Sequence, residues 1–296
     1  MDGILNVDKP KGLTSHDVVD RIRRWSQVRR VGHAGTLDPM ATGVLLVCLG
    51  KATRVTEYLM TGHKVYRAVI RLGVTTDTYD AEGKVLETRP VEVDLEQIQT
   101  TLARFRGRVQ QVPPMYSALK RGGQPLYKLA RRGITVERPA RTVEIFDLTL
   151  EEWSPPDLTL TITCSPGTYI RSLAHDLGER LGCGGHLTAL TRLASGRFTL
   201  DEAVSLEEVA QAAREGRLES LLYPLDAALE TFPAIALSEQ DSRRVRSGHS
   251  VGGDVAPPSP EGLCRAYDPA GRLLALLRYD PVTDRWRPHK VFLPLG

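Results

Sequence analysis

The longest uninterrupted apolar run in this 296-residue chain is short, Val44–Leu49. A helix that crosses a bilayer needs about 20 such residues, so a membrane protein built of spanning helices is excluded. A short run without polar breaks suits a strand covered on both faces. The segment His63–Leu72 instead alternates, with Tyr66, Ala68, Ile70 and Leu72 on one side, as a half-buried strand does. Further strands are expected at Ile4–Val7, Arg141–Glu151, Leu158–Cys164 and His186–Leu193. Helical spacing appears between them. Ser15 can cap a helix to about Gln27, Asp94 one to about Phe105, and Thr168–Leu181 carries apolar residues at helical intervals before Gly182. Ala52–Met60, Pro125–Arg131, Leu206–Arg214 and Pro224–Leu229 read as shorter helices. Strands and helices thus succeed one another along the chain.

Length admits one large domain or two. With 41% hydrophobic and 25% charged residues, the composition is that of a globular chain and argues against disorder. The first residues, MDGILNVDKPKG, lack a basic segment followed by an apolar one, so no secretory signal is expected. Cys48, Cys164, Cys183 and Cys264 lie far apart without a C-x-x-C pair. That disfavours a zinc or redox motif, and buried thiols in a reducing cytoplasm are expected. Phe232-Pro233 marks a change to short strands and Gly/Pro turns, so the chain divides into 1–231 and a smaller β-rich unit, 232–296. Val251–Pro260 reads as a turn or longer loop within it.

The net charge of +3 conceals a basic block. Arg104–Arg141 holds ten Lys/Arg and one acidic residue, a local +9 that leaves −6 for the remainder. Such a block is a candidate surface for a polyanion, although a solvated basic face has the same composition.

The candidate chemistry clusters in a Gly-rich loop, Gly32-His33-Ala34-Gly35-Thr36-Leu37-Asp38-Pro39. Asp-Pro alone reads as a turn, but His33, Thr36 and Asp38 share one loop between a helix and an apolar strand, where sites concentrate. Neither a P-loop nor G-x-G-x-x-G occurs, and no metal spacing accompanies Asp38. Tyr66 reads as a core tyrosine by its position. Arg171 falls in the first turn of an expected helix, where the helix dipole disfavours a cation. It therefore either pairs with a carboxylate or points to solvent.

Four segments in order, Gly3–Ser15 (GILNVDKPKGLTS), Gly32–Gly43 (GHAGTLDPMATG), Lys64–Tyr66 with Thr76–Asp80 (TDTYD), and Ser165–Arg171 (SPGTYIR), resemble the bacterial tRNA pseudouridine-55 synthases, the TruB family. The likeness extends to about Leu193 and continues more weakly through Leu237–Gly248 and Arg272–Phe292. It implies an α+β pseudouridine synthase fold with a large mixed, mostly antiparallel sheet, followed by a small C-terminal PUA-like β-barrel that binds RNA. It also implies isomerisation of a uridine in the tRNA T loop without cofactor or metal. The base is extruded from the RNA, its glycosidic bond is broken, and it is rejoined through C5. By this resemblance Asp38 is the essential carboxylate, kept ionised by Arg171. Tyr66 stacks on the base near the proton leaving C5. Tyr169 and Leu190 line the base pocket, Asp80 is a pocket carboxylate, and His33 stacks near the extruded nucleotide. Lys9 and Pro10 match a structural motif packed behind the tyrosine.

The basic block then gains a role. Family members that work alone carry an insertion here, and relatives that use a guide RNA and partner proteins lack it. Met115–Gly133, within an insertion near 105–141, matches the stand-alone pattern. Lys120, Arg121, Lys128, Arg131 and Arg132 are expected to meet phosphates of the T stem-loop, with no obligate protein partner or guide RNA. The rival functions are a non-enzymatic RNA-binding chaperone, against which the set Asp38, Tyr66 and Arg171 argues, and a glycosidase, which lacks an evident second acid.

Overall fold

The computed structural model describes residues 1–117, 119–130, 132–252 and 262–293. The expected phosphate contact Arg131, the side chains of Lys120 and Arg121, and most of the Val251–Pro260 loop lie outside this description. In chain order the first part contains β1 (Gly3–Lys9), α1 (Ser15–Ser26), β2 (Val31–Ala34), β3 (Thr42–Leu49), α2 (Thr56–Met60), β4 (Lys64–Leu72), β5 (Val74–Thr76) and β6 (Val85–Thr88). The middle contains α3 (Leu95–Ala103), β7 (Gly107–Gln111), β8 (Lys120–Arg121), β9 (Gln124–Pro125), α4 (Leu126–Ala130), β10 (Arg141–Ser154), β11 (Asp157–Cys164) and α5 (Ile170–Arg180). The last part contains β12 (Gly185–Ser195), β13 (Phe198–Thr199), β14 (Val204–Ser205), α6 (Leu206–Arg214), β15 (Ala234–Ala236), α7 (Glu239–Arg246), β16 (Leu263–Tyr267), β17 (Leu273–Asp280) and β18 (Arg285–Val291).

Among the described residues, one ten-stranded sheet runs in the order β14-β1-β3-β12-β4-β11-β10-β7, with β2 on β3 and β13 on β12. All pairings are antiparallel except β1 with β14 and β3 with β12. The six-residue apolar run is β3, and both of its faces are covered. Leu45, Val47 and Leu49 join a core with α1, α3, α5 and α6, and Val44, Leu46 and Cys48 join one that includes Leu263, Leu276 and Phe292 of the C-terminal unit. Alternation in β4 likewise buries Tyr66, Ala68, Ile70 and Leu72. All four cysteines are buried and unpaired.

Three expectations change. Thr14, not Ser15, caps α1, in a reciprocal pair with Asp17, and this frees the Ser15 hydroxyl for another contact. Ala52–Met60 is a 3₁₀ turn, Gly50–Arg54, followed by the short α2. The C-terminal strands form an open sheet, β15-β16-β17-β18, among the described residues, rather than the expected closed barrel.

The sheet has two halves, joined where β3 and β12 run parallel for only two register pairs, Thr42 with Thr191 and Gly43 with Arg192. The threonine hydroxyls bond at 2.9 Å. Gly43 has φ +95°, and a Cβ there would lie 2.3 Å from the Arg192 carbonyl oxygen. Gly43→Ala is expected to lower stability in urea by about 2 kcal/mol or more, since both the backbone conformation and the close approach oppose a side chain. A variant with an unchanged urea midpoint would show that the joint can spread without cost.

Candidate active site

The loop that carries Asp38 runs into β3 at this joint and is held from several sides. Ser15 brackets Leu37, accepting from its N–H at 2.8 Å and donating to its carbonyl at 3.1 Å. Gly12 N–H donates to the Pro39 carbonyl at 2.8 Å, and the Ala41 N–H returns to the Asp38 carbonyl at 3.0 Å. Lys9 is fully buried and donates to the carbonyls of Pro10, Leu13 and Pro39. Burial lowers its amine to about 8. The N-terminal lysine thus braces the aspartate loop, where packing behind the tyrosine was expected.

Asp38 faces Arg171, which is the second residue of α5. Arg171 Nε lies 2.9 Å from one carboxylate oxygen, and its Nη2 donates to the other at 3.0 Å. This fork explains a cation at an unfavourable helix end. Arg171 is buried and serves further acceptors: the carbonyls of Tyr116 at 2.7 Å and Thr78 at 3.3 Å, and the carboxylate of Asp80 at 3.4 Å. Asp80 is buried behind the arginine and accepts from the Thr78 hydroxyl and the Glu82 N–H. Between Thr78 and Asp80, Tyr79 adopts φ +64°, and its ring stacks on His175 at 4.0 Å. A non-glycine residue in that region is strained, and such strain gathers at sites.

One guanidinium therefore serves two carboxylates. Burial pushes the Asp38 carboxyl above its ordinary range and Asp80 adds to this, while Arg171 and Lys9 pull it down; the net direction is upward. The resemblance implied that Arg171 favours the charged form of Asp38. The arginine contributes as expected, but burial outweighs it.

Asp38, Tyr66, Tyr169, Leu190 and Arg171 line one cavity of about 270 Å³, together with Lys64, Ser117 and Arg192. Tyr66 and Leu190 come from the adjacent strands β4 and β12. Tyr169 precedes α5 and is clamped by the buried Gln111, whose amide donates to the Tyr169 carbonyl at 3.0 Å and accepts from its N–H at 2.8 Å. His33, on β2, and Asp80 do not line the cavity. His33 is half-buried, burial lowers its imidazole, and its Nδ1 has no partner among the described residues. Lys128 and Arg132 are exposed on the basic segment, away from the cavity wall.

Sequence reasoning missed Gln111, Ser117, Lys64 and Arg192. Lys64 is buried, donates to the Leu59 carbonyl and the Ser195 hydroxyl, and is lowered to about 8 by burial. The available signal was alternation, which puts Lys64 on the same inward face as Tyr66.

Residues 23–170 match the TruB family pseudouridylate synthase N-terminal domain, and residues 171–230 match the tRNA pseudouridylate synthase B C-terminal domain. This chain belongs to the TruB family. A protein of Burkholderia pseudomallei named tRNA pseudouridine synthase B is 47% identical over 282 residues, covering 94% of this chain and 93% of the relative. A Syntrophotalea carbinolica protein of the same name is 51% identical over 289 residues, covering 96% and 94%. Among solved structures, a chain of a Cbf5-Nop10-Gar1 complex superposes with a TM-score of 0.74 at 27% identity, covering 99% of this chain and 85% of that one.

The raised Asp38 carboxyl has a testable sign. Its ionised form is populated only above the raised value, so chemistry that needs the carboxylate fades as pH falls through it, above the 3.8 of an ordinary aspartate. Carboxyl ¹³C NMR is expected to show Asp38 titrating above that value, and Asp80→Asn is expected to lower it by removing a neighbouring like charge. An Asp38 titration at or below 3.8 would leave Arg171 as the controlling influence.

Proposed function

We propose that this chain is a stand-alone tRNA pseudouridine synthase that isomerises uridine 55 of the T loop without a cofactor. The observation that carries this reading is the fork between Asp38 and Arg171 at the wall of a cavity lined by Tyr66, Tyr169 and Leu190. A carboxylate with one-third of its side chain exposed can meet an incoming sugar or base, and the two tyrosines offer flat faces to a pyrimidine.

A stacked uridine cannot reach Asp38 inside folded RNA, so the base must be extruded. His33, kept neutral by burial, serves as a stacking surface near the extruded nucleotide. Asp38 acts directly on the sugar or base as the glycosidic bond breaks, and the Tyr66 hydroxyl takes part in removing the C5 proton. Residues 1–231 form the catalytic domain with the insertion near 105–141. Residues 232–296 form a PUA-like RNA-binding unit. In it, exposed Arg278 and Arg287 sit directly opposite each other on β17 and β18, and Asp280 pairs with Arg287, which leaves Arg278 as the cation offered to a polyanion. A tRNA-folding role would use the same basic surfaces.

Incubation with an unmodified tRNA transcript, followed by mapping of pseudouridine, tests the reading. Wild type is expected to modify position 55, and Asp38→Asn to lose turnover by several orders of magnitude while keeping tRNA affinity, because phosphate contacts lie elsewhere. Modification by Asp38→Asn at near wild-type rate would sink the assignment.

The basic segment makes a separate prediction. Replacing Lys128, Arg131 and Arg132 together by Ala is expected to weaken tRNA binding and to reduce the slope of log affinity against log salt by roughly two to three. An unaltered slope would remove the segment from the RNA interface and favour the solvated-face reading.

A further inference from the structure

Arg192 is a cation without a counter-ion among the described residues. Its side chain is 1% exposed. Its Nε donates to the Val44 carbonyl at 2.6 Å and its Nη2 to the Gly35 carbonyl at 3.2 Å. Both acceptors are neutral, so the full positive charge remains. A buried guanidinium in this state is costly unless something nearby develops negative charge.

The group placed to do so is Tyr66. Arg192 and Tyr66 are direct cross-strand partners in β12 and β4. Both line the cavity, and the positive charge of the guanidinium favours the ionised form of the tyrosine hydroxyl. Arg192 is also anchored at Gly35, where the loop to Asp38 begins, and at Val44 just past the joint. It therefore fixes the tyrosine relative to the aspartate loop.

We propose that Arg192 is the positioning residue of Tyr66: it donates to the hydroxyl oxygen, orients it in the cavity, and is the counter-ion of the phenolate. The proposal rests on the reading that Tyr66 removes the C5 proton. In that step the hydroxyl first releases its proton to solvent. Once C5 is joined to C1′, the phenolate takes the C5 proton. The C5–H electron pair becomes the C5=C6 bond, the C6=N1 pair moves to N1, and N1 takes a proton from solvent. The net change is transfer of one proton from C5 to N1, with tyrosine restored to its hydroxyl form when the step ends. Burial opposes the phenolate, and Arg192 is the foremost influence that favours it. Lysine would keep the charge but lose the fork that reaches two carbonyls at once and holds the charge beside Tyr66.

The test is a double-mutant cycle on single-turnover pseudouridine formation at saturating enzyme, using Arg192→Lys, Tyr66→Phe and the double variant. Arg192→Lys is expected to slow turnover about 10- to 100-fold with tRNA affinity within about twofold of wild type, and Tyr66→Phe to slow it by at least as much. If Arg192 acts through the hydroxyl, the double variant matches Tyr66→Phe within about threefold. Losses that multiply would overturn the proposal and leave Arg192 as a strut between loop and sheet. So would a wild-type rate in Arg192→Lys. A wild-type rate in Tyr66→Phe is a different failure, because it removes the role of the tyrosine itself. Should Arg192→Lys not fold, Arg192→Gln, which keeps a donor without the charge, enters the same cycle with the same expectation.

Discussion

The short parallel contact between β3 and β12 is the constraint on which the site depends. Two register pairs hold two half-sheets together, and at Gly43 the backbones approach too closely for any side chain. On one side of that joint, the chain enters β3 from the loop that carries Asp38. On the other, β12 and β4 present Leu190, Arg192 and Tyr66. The cavity is what remains where the halves diverge. Shifting either register by one residue would turn Tyr66 and Arg192 to the opposite face. The fully covered β3 resists that shift, because each of its side chains is committed to one of two cores.

Within the cavity, electrostatics is arranged by sharing. Arg171 divides its donors between Asp38, Asp80 and two carbonyls, so Asp38 is held in place without being fully neutralised. The second carboxylate and the burial of the cluster push in the opposite sense from the arginine. The balance leaves an aspartate that is oriented and less acidic than it would be in water.

Much of the fold was legible because its signals are local. The unbroken run of β3, the alternation of β4 and the helical spacing of α1, α3 and α5 each follow from which faces are buried. The misplaced cap of α1 was a choice between adjacent hydroxyl residues, decided by the reciprocal pair of Thr14 with Asp17, while Ser15 turns to Leu37. The C-terminal sheet was legible as strands but not in its closure, since closure depends on pairings between distant edges. Asp38 and Arg171 stood out by motif and by a cation at a helix start. Gln111, Ser117 and Arg192 carried no such mark. Gln111 lies in the basic block, at a position where no element was expected, and it clamps Tyr169 only because β7 passes beside that residue.

The basic segment is not a separable appendage. Its first residues enter the site directly: the Tyr116 carbonyl accepts from Arg171 at 2.7 Å, and Ser117 lines the cavity. The chain then makes the β8–β9 hairpin and α4, tied back by the Tyr127 N–H to the Ser117 carbonyl at 3.1 Å and the Leu126 N–H to the Leu119 carbonyl at 2.7 Å. The exposed cations Lys128 and Arg132 thus stand on a short structure whose root is one of the four acceptors around Arg171. Deleting the segment would leave a buried guanidinium donor without its carbonyl, a cost of about 1–3 kcal/mol at the group that orients Asp38. The surface that suits a polyanion and the carboxylate in the cavity are therefore linked through one arginine, by the hydrogen bond of Arg171 to the Tyr116 carbonyl.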